Sequence, residues 1–260
     1  MHSIGLRYYD KFGDIMIIKV NSEILSRLTN TEKQVIEYIN NNDNKLIKMS
    51  IVDVAEETYT SPATVSRAIK KAGIDGFSQL RYLISKESNG DSDSGQVNEI
   101  INKSLIETTN TIERISVEDI LKTVNLIKNS SRIYVLSRGL TELVGEEFTL
   151  KLQLLGYNGF SIKDPNIMMK MSGSMKKNEL LFAFSLYGKT PEIINSAENA
   201  VSLGCKVISC CCGEDTKLEK LSSIYLNGYK DKNISIKKFE VTSRLPLTII
   251  SRIIIDYLSL

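Results

Sequence analysis

Ser50-Ile-Val-Asp-Val-Ala-Glu-Glu-Thr-Tyr-Thr-Ser-Pro-Ala-Thr-Val-Ser-Arg-Ala-Ile-Lys-Lys71 reads as two short helices across a tight turn. Ser50 is placed to cap a helix over 51–57, residues 58–60 form the turn, and Ser61-Pro62 opens a second helix. Serine at the cap with proline at the first helical position is a strong start, because proline lacks an N–H that would be unsatisfied there anyway. The spacing sets Pro62, Val65, Ile69 and Ala72 on one face of the second helix. The opposite face carries Ala63, Arg67 and Lys70, flanked by Thr64, Ser66 and Lys71. Such a slim, basic face suits the major groove of a duplex. It equally suits an ordinary helical hairpin with a solvated face, and spacing alone leaves that choice open.

The helical period extends on both sides of this stretch, from Ile24 to Ile84, with no strand alternation. A polar run with no apolar side chain follows, Lys86-Glu-Ser-Asn-Gly-Asp-Ser-Asp-Ser-Gly95, which reads as a linker. Two more helical segments, 97–115 and 117–128, precede a change of period. Short apolar runs at 132–136, 156–162, 179–185 and 205–211 then alternate with helical stretches at 141–155, 165–172 and 190–203. Strands alternating with helices give parallel βαβ units, and near-continuous apolar strands give a sheet covered on both faces. A weaker strand is expected near 224–226 and a closing helix over 243–258. The expected organisation is an extension over 1–23, an all-α helix-turn-helix domain over 24–85, a linker over 86–96 and an α/β doubly wound parallel-sheet domain over 97–260.

Composition narrows the classes. A net charge of +2 over 260 residues marks no general nucleic-acid binder, so the basic signal must be local. Between Ser61 and Lys86 there are five Lys or Arg against one acid, Asp75. The four cysteines are Cys205 and the run Cys210 to Cys212, which cannot span a fold as a disulfide framework. No second Cys/His cluster completes a zinc site, and no cofactor or metal is expected. Buried reduced thiols of an intracellular protein are the expectation. Residues 1–20 are too mixed for a signal peptide, and Leu245 to Leu260, broken by Arg252 and Asp256, is too short for a bilayer span. A cytoplasmic location follows as the expectation; the first fifteen residues are given no function.

In a doubly wound sheet, ligands sit beyond the C-terminal strand ends near the switch in strand order, where helix N-termini offer free N–H groups. The loops after the first and third strands read Ser137-Arg-Gly-Leu-Thr141 and Ser185-Leu-Tyr-Gly-Lys-Thr190. Gly139 and Gly188 would let backbone approach an anion. Ser137, Thr141, Ser185 and Thr190 supply hydroxyls, and Arg138 and Lys189 supply charge. Each loop alone is also what a plain β-to-α turn with a capping hydroxyl looks like; two in one domain point further.

Taken together, Met49-Ser-Ile51, Val54-Ala55, Ser61-Pro-Ala-Thr-Val-Ser-Arg67 and Lys70-Lys-Ala-Gly-Ile-Asp-Gly-Phe77 closely resemble the helix-turn-helix of the RpiR/MurR family of transcriptional regulators. The resemblance implies an N-terminal operator-binding domain, a linker, and a flavodoxin-like sugar-isomerase (SIS) domain that binds a phosphorylated sugar. It implies a recognition surface of Thr64, Ser66, Arg67, Lys70 and Lys71. Over about 132–260 the layout is similar to an SIS domain, whose Ser-x-Ser-Gly-x-Thr phosphate loop matches Ser185, Gly188 and Thr190, with Tyr187 at the second serine's place. The usual Gly-x-Gly-x-Ser of the first loop is here Ser137, Gly139 and Thr141. Tyr187 would narrow the pocket or stack on a sugar ring. Glu240-Val-Thr-Ser-Arg244 matches a region that lies near the sugar in such domains, making Glu240 a further candidate, although a surface carboxylate is as ordinary a reading. The implied partners are double-stranded operator DNA, bound by a homodimer or higher homo-oligomer at a near-palindromic site, and the phosphosugar effector.

Two rivals belong beside this reading. An SIS-type isomerase needs a general base, and the chain offers only His2, Glu240 or the Glu146–Glu147 pair. A DNA-binding protein whose second domain only dimerises would keep the basic helix and tolerate loss of the loop hydroxyls.

Overall fold

The computed structural model describes residues 8–9, 15–18, 21–87, 93–231 and 241–260. The chain divides into two compact units, Met1–Leu105 and Ile106–Leu260. The elements of the first are strands β1 (Tyr8–Tyr9) and β2 (Ile15–Met16), then helices α1 (Ser22–Arg27), α2 (Asn30–Asn41), α3 (Asp43–Leu46), α4 (Ile51–Glu57), α5 (Pro62–Lys71) and α6 (Phe77–Glu87). Helix α7 (Asp93–Arg114) follows.

Local chemistry fixes these starts. Thr29 and Glu32 close a capping box on α2, and Ser50 and Asp53 close another on α4. Ser61 Oγ accepts from the Thr64 N–H, with Pro62 in the first turn of α5. Val35, Ile36 and Ile39 of α2, Val54 and Ala55 of α4, and Val65, Ala68 and Ile69 of α5 form one buried cluster. Ala68 therefore takes a core place; Pro62, expected on that face, is exposed because it lies at the helix mouth.

Three boundaries differ from the expected ones, and the first unit runs on to Leu105, past the expected start of the α/β domain at 97. Ile17 and Ile18 are buried in the helical core, and Asn40 ties down the Ile18 backbone, its Oδ1 accepting from Ile18 N at 2.8 Å and its Nδ2 donating to Ile18 O at 3.2 Å. The helical unit thus claims at least residues 17–18 of the expected extension, drawn in by two apolar side chains beside one bonding amide. Helix also enters the expected 86–96 linker from both ends, through Lys86–Glu87 of α6 and Asp93–Gln96 of α7, whose acidic first turn favours the helix dipole.

In the second unit come α8 (Val117–Lys128), β3 (Arg132–Leu136), α9 (Glu142–Leu154), β4 (Gly159–Ile162), α10 (Pro165–Ser172), β5 (Glu179–Ser185), α11 (Pro191–Ser202), β6 (Lys206–Cys211), α12 (Lys217–Leu221), β7 (Ile224–Asn227) and α13 (Leu245–Leu258). All pairings in the five-stranded sheet are parallel, in the order β4-β3-β5-β6-β7. That is the doubly wound arrangement, with strand order reversing between β3 and β5. Alternate β5 side chains serve opposite faces: Leu180, Phe182 and Phe184 pack with α8, α9 and α13, and Leu181 and Ala183 pack with α10, α11 and α12. Phe148 of α9 stands 4.7 Å from the Phe182 ring and 5.3 Å from that of Phe184. Cys205, Cys210 and Cys211 are buried free thiols, and Cys212 is half-buried. Burial pushes the Cys211 and Cys212 thiols up to about 12, so they are inert as nucleophiles. Among the described residues no helix is long and apolar enough to cross a membrane.

Candidate functional site

The turn between α4 and α5 is closed by Thr60 N donating to Ala55 O at 2.8 Å and Thr58 Oγ1 donating to Val54 O at 2.7 Å. Tyr59 takes the left-handed conformation, φ 52°, and is 98% exposed. A non-glycine residue pays for that conformation, and nothing in its sequence neighbourhood signalled it. On α5, Ser61 Oγ lies 2.9 Å from Thr64 Oγ1, which accepts from Arg67 Nη2 at 3.3 Å. This ladder lays the guanidinium along the exposed face beside half-buried Ser66 and exposed Lys70. Lys71 is turned elsewhere: its Nζ donates to Glu32 Oε2 on α2 at 2.7 Å. Burial opposes ionisation of Glu32, but hydrogen bonds from Lys71 and Thr29 outweigh it and hold the carboxyl below its usual range.

In the second unit, the loops after β3 and β5 meet at the switch point around a cavity of about 380 Å³. Arg138, Gly139, Thr141, Ser185, Tyr187, Lys189 and Thr190 line it, together with Arg244. Ser185 Oγ is 3.2 Å from Thr190 Oγ1, so the Thr190 hydroxyl does not cap α11 although Thr190 holds the cap position. The first-turn N–H groups of α11 therefore lack that side-chain acceptor at the cavity, a natural seat for an anion. Gly188 has φ 64°, and a Cβ there would lie 2.9 Å from Thr216 Oγ1, so the loop requires glycine.

On the facing loop, Gly139 N donates to Glu142 Oε1 at 3.0 Å, and Arg138 Nη1 donates to Lys163 O at 2.7 Å. Thr141 Oγ1 accepts from Arg244 Nε at 3.4 Å. Tyr187 sits under Lys230, whose Nζ is 5.0 Å from the ring centroid. Burial raises the Tyr187 pKa, but hydrogen bonds from Lys230 and Thr242 and the charges of Lys230 and Arg244 bring it below the usual phenol value. The mouth is electropositive.

Ser137 is not among the lining residues. It is wholly buried under α9, where a Cβ on Gly145 would come within 2.5 Å of its Oγ, and that hydroxyl has no partner among the described residues. The close approach of α9 to β3 has turned it inward. Glu240 lies outside the described residues. Arg244 was not singled out from the sequence, though it closes the 240–244 stretch and stands directly before Leu245-Pro246, the start of α13.

A helix-turn-helix module followed by a doubly wound domain with a cavity at its switch point defines the class of two-domain DNA-binding regulators. Residues 17–90 match the helix-turn-helix domain of the rpiR family and residues 126–251 match the SIS domain. The chain belongs to the RpiR family of transcriptional regulators, with an SIS domain following the helix-turn-helix. An HTH-type transcriptional regulator of Clostridium perfringens is 26% identical over 234 residues, 85% of this chain and 84% of its own. Another, of Thermotoga maritima, is 24% identical over 243 residues, 88% of this chain and 86% of its own. Among solved structures, Vibrio vulnificus NanR complexed with ManNAc-6P has a TM-score of 0.56 at 20% identity, covering 90% of this chain and 88% of that one. The sugar isomerase domain of an RpiR transcription factor from Sphaerobacter thermophilus gives 0.57 at 11% identity, covering 62% and 88%. A phosphoheptose isomerase from Francisella tularensis gives 0.55 at 16% identity, covering 65% and 98%. At these identities the structural likenesses establish the fold.

Proposed function

We propose that this protein binds operator DNA through the exposed face of α5 and that a phosphorylated sugar in the β3–β5 cavity sets its DNA affinity. The observation that carries the effector half is the meeting of both hydroxyl–glycine–cation loops around one cavity, with Ser185 and Thr190 at the N-terminus of α11. A phosphate offers acceptor oxygens and close to two negative charges, which suit clustered hydroxyls, helix N–H groups and the nearby Lys189 and Arg244. The ManNAc-6P held by the Vibrio vulnificus protein supports the same class of effector. Thr64, Ser66, Arg67 and Lys70 form the DNA-reading surface on this account, with Lys71 engaged in holding α5 to α2. The effector changes DNA affinity by binding two conformations unequally.

The cavity is read as a sensor rather than a catalytic site. Of the candidate bases, Glu146 and Glu147 of α9 are held in ion pairs with Lys163 and Lys151. Isomerisation next to a carbonyl needs a placed base. The named relatives are regulators; this reading places the protein in the cytoplasm, with DNA. The test is a thermal-shift panel of hexose and amino-sugar phosphates against the unphosphorylated sugars. A ligand bound only by the native state must raise the melting temperature, so phosphates that shift it and free sugars that do not are the expected result. A panel in which no phosphosugar shifts it more than its free sugar overturns the effector assignment.

A further inference from the structure

Helix α7 starts at Asp93, within the first unit, and ends at Arg114, within the second. Buried polar side chains anchor it in each. In the first unit Asn98 donates from Nδ2 to Ile47 O at 2.9 Å, three residues before Ser50, the cap of α4. In the second, Glu107 and Thr111, a helical turn apart and almost without exposure, hold the chain just after β7. Asp231 N donates to Glu107 Oε1 at 3.1 Å, and Tyr229 N donates to Thr111 Oγ1 at 3.0 Å. Arg114, on the same face, lies 4.8 Å from the Tyr229 ring centroid. Between the two held residues stands Lys230, over the ring of Tyr187. Buried polar groups are kept partnered, so a shift of the 229–231 backbone must either move α7 or break buried hydrogen bonds.

We propose that effector occupancy is relayed from Tyr187 through Lys230 to the Glu107–Thr111 face of α7. The proposal rests on the β3–β5 cavity being the effector site. Tyr187 is a wall of that cavity, and the Lys230 ammonium lies 5.0 Å from its ring centroid and hydrogen-bonds its phenol oxygen. A sugar whose phosphate sits at the start of α11 meets the Tyr187 ring, because Tyr187 belongs to the same loop as Ser185 and Thr190. Displacing the ring displaces Lys230, and with it the Tyr229 and Asp231 amides that α7 holds. Those hydrogen bonds, made or broken, are the two-state element, and a guest that favours one state biases α7. Thr111 and Glu107 act at a distance from the sugar and are positioning residues. Asn98 passes the bias on, since it ties the same helix to the backbone just ahead of α4.

Two measurements on the full chain separate this relay from the effector reading. The first is hydrogen exchange without sugar or DNA. Tyr187→Ala and Lys230→Met are each expected to speed exchange at 229–231 and along 106–114 by at least about fivefold. Unchanged exchange in both overturns the relay, whatever the cavity binds. The second uses the phosphosugar that most raises the parent's melting temperature in the panel above, with ManNAc-6P among those tried. It reads the ratio of operator affinities with and without that sugar at saturation. Thr111→Val is expected to bind the sugar within about threefold of the parent and to keep sugar-free operator binding, while the ratio falls to near one. Thr111→Ser, which retains the hydroxyl, keeps the parent's ratio. A Thr111→Val ratio equal to the parent's, or a Thr111→Ser ratio as small as that of Thr111→Val, overturns the relay. A parent that binds no phosphosugar defeats the effector reading instead, and the exchange result then decides the relay alone.

Discussion

Lys71 of α5 and Glu32 of α2, 39 residues apart in sequence, form an ion pair at 2.7 Å in which the carboxylate is buried and the ammonium partly exposed. The pair does two jobs. It holds the second helix of the helix-turn-helix against α2, and it withdraws one cation from the face presented to solvent. Removing Lys71 strands a buried carboxylate, which is more costly than losing the pair as a whole.

Lys71→Met is therefore expected to destabilise the helical unit by roughly 1–3 kcal/mol, the lower half of the range reflecting the exposure of the ammonium. Lys70→Met, on the solvent face, should cost almost nothing. The pH dependence has a definite sign. Because folding lowers the Glu32 pKa, its stabilisation is present above the unfolded carboxylate value and is lost as the pH falls below about 4.5 through the folded value. Glu32→Gln should flatten that acid limb in denaturant titrations of the isolated mutant series; an unchanged limb would remove Glu32 from the account.

Arg67 is laid along α5 by Thr64. Arg67→Ala should weaken binding to a specific operator by roughly 1–3 kcal/mol if it contacts a base edge, and should weaken all sequences alike if it contacts phosphate. Gel shifts with operator and random duplex at several salt concentrations separate the two. A mutant that matches the parent on both DNAs takes Arg67 out of the interface.

Gly188→Ala meets two obstacles, a left-handed backbone and the Thr216 hydroxyl at 2.9 Å from the new Cβ. A cost of about 1–3 kcal/mol is expected, with loss of phosphosugar binding because the loop from Ser185 to Thr190 must shift. Thr216→Ala removes part of that clash, though also the Thr216 cap of α12. Gly188→Ala that binds the effector as tightly as the parent would show that the loop has slack.

The alternation of strands and helices in the second unit was readable because parallel strands buried on both faces leave continuous apolar runs; β3 and β5 fall at 132–136 and 179–185 as the runs predict. The capped start at Ser61-Pro62 was readable because capping is local. What escaped was long-range or directional. The Lys71 partner lies in another helix, so periodicity could only place the lysine on a rim. Ser137 has the right residue type at the right loop, yet its direction depends on how closely Gly145 brings α9 to β3. Arg244 reaches Thr141 from 103 residues away. Ile17 and Ile18 join the helical core from a segment with no period of its own.

The hydroxyls of Ser185 and Thr190, 3.2 Å apart at the start of α11, are where the account places the phosphate. Calorimetric titration of a phosphosugar that shifts the parent's melting temperature into the Ser185→Ala, Thr190→Ala double variant tests this directly. The account predicts that binding is lost or weakened at least about a hundredfold, two charge-assisted hydrogen bonds being removed, while DNA binding without ligand is nearly unchanged. A double variant that binds the same phosphosugar as tightly as the parent contradicts it.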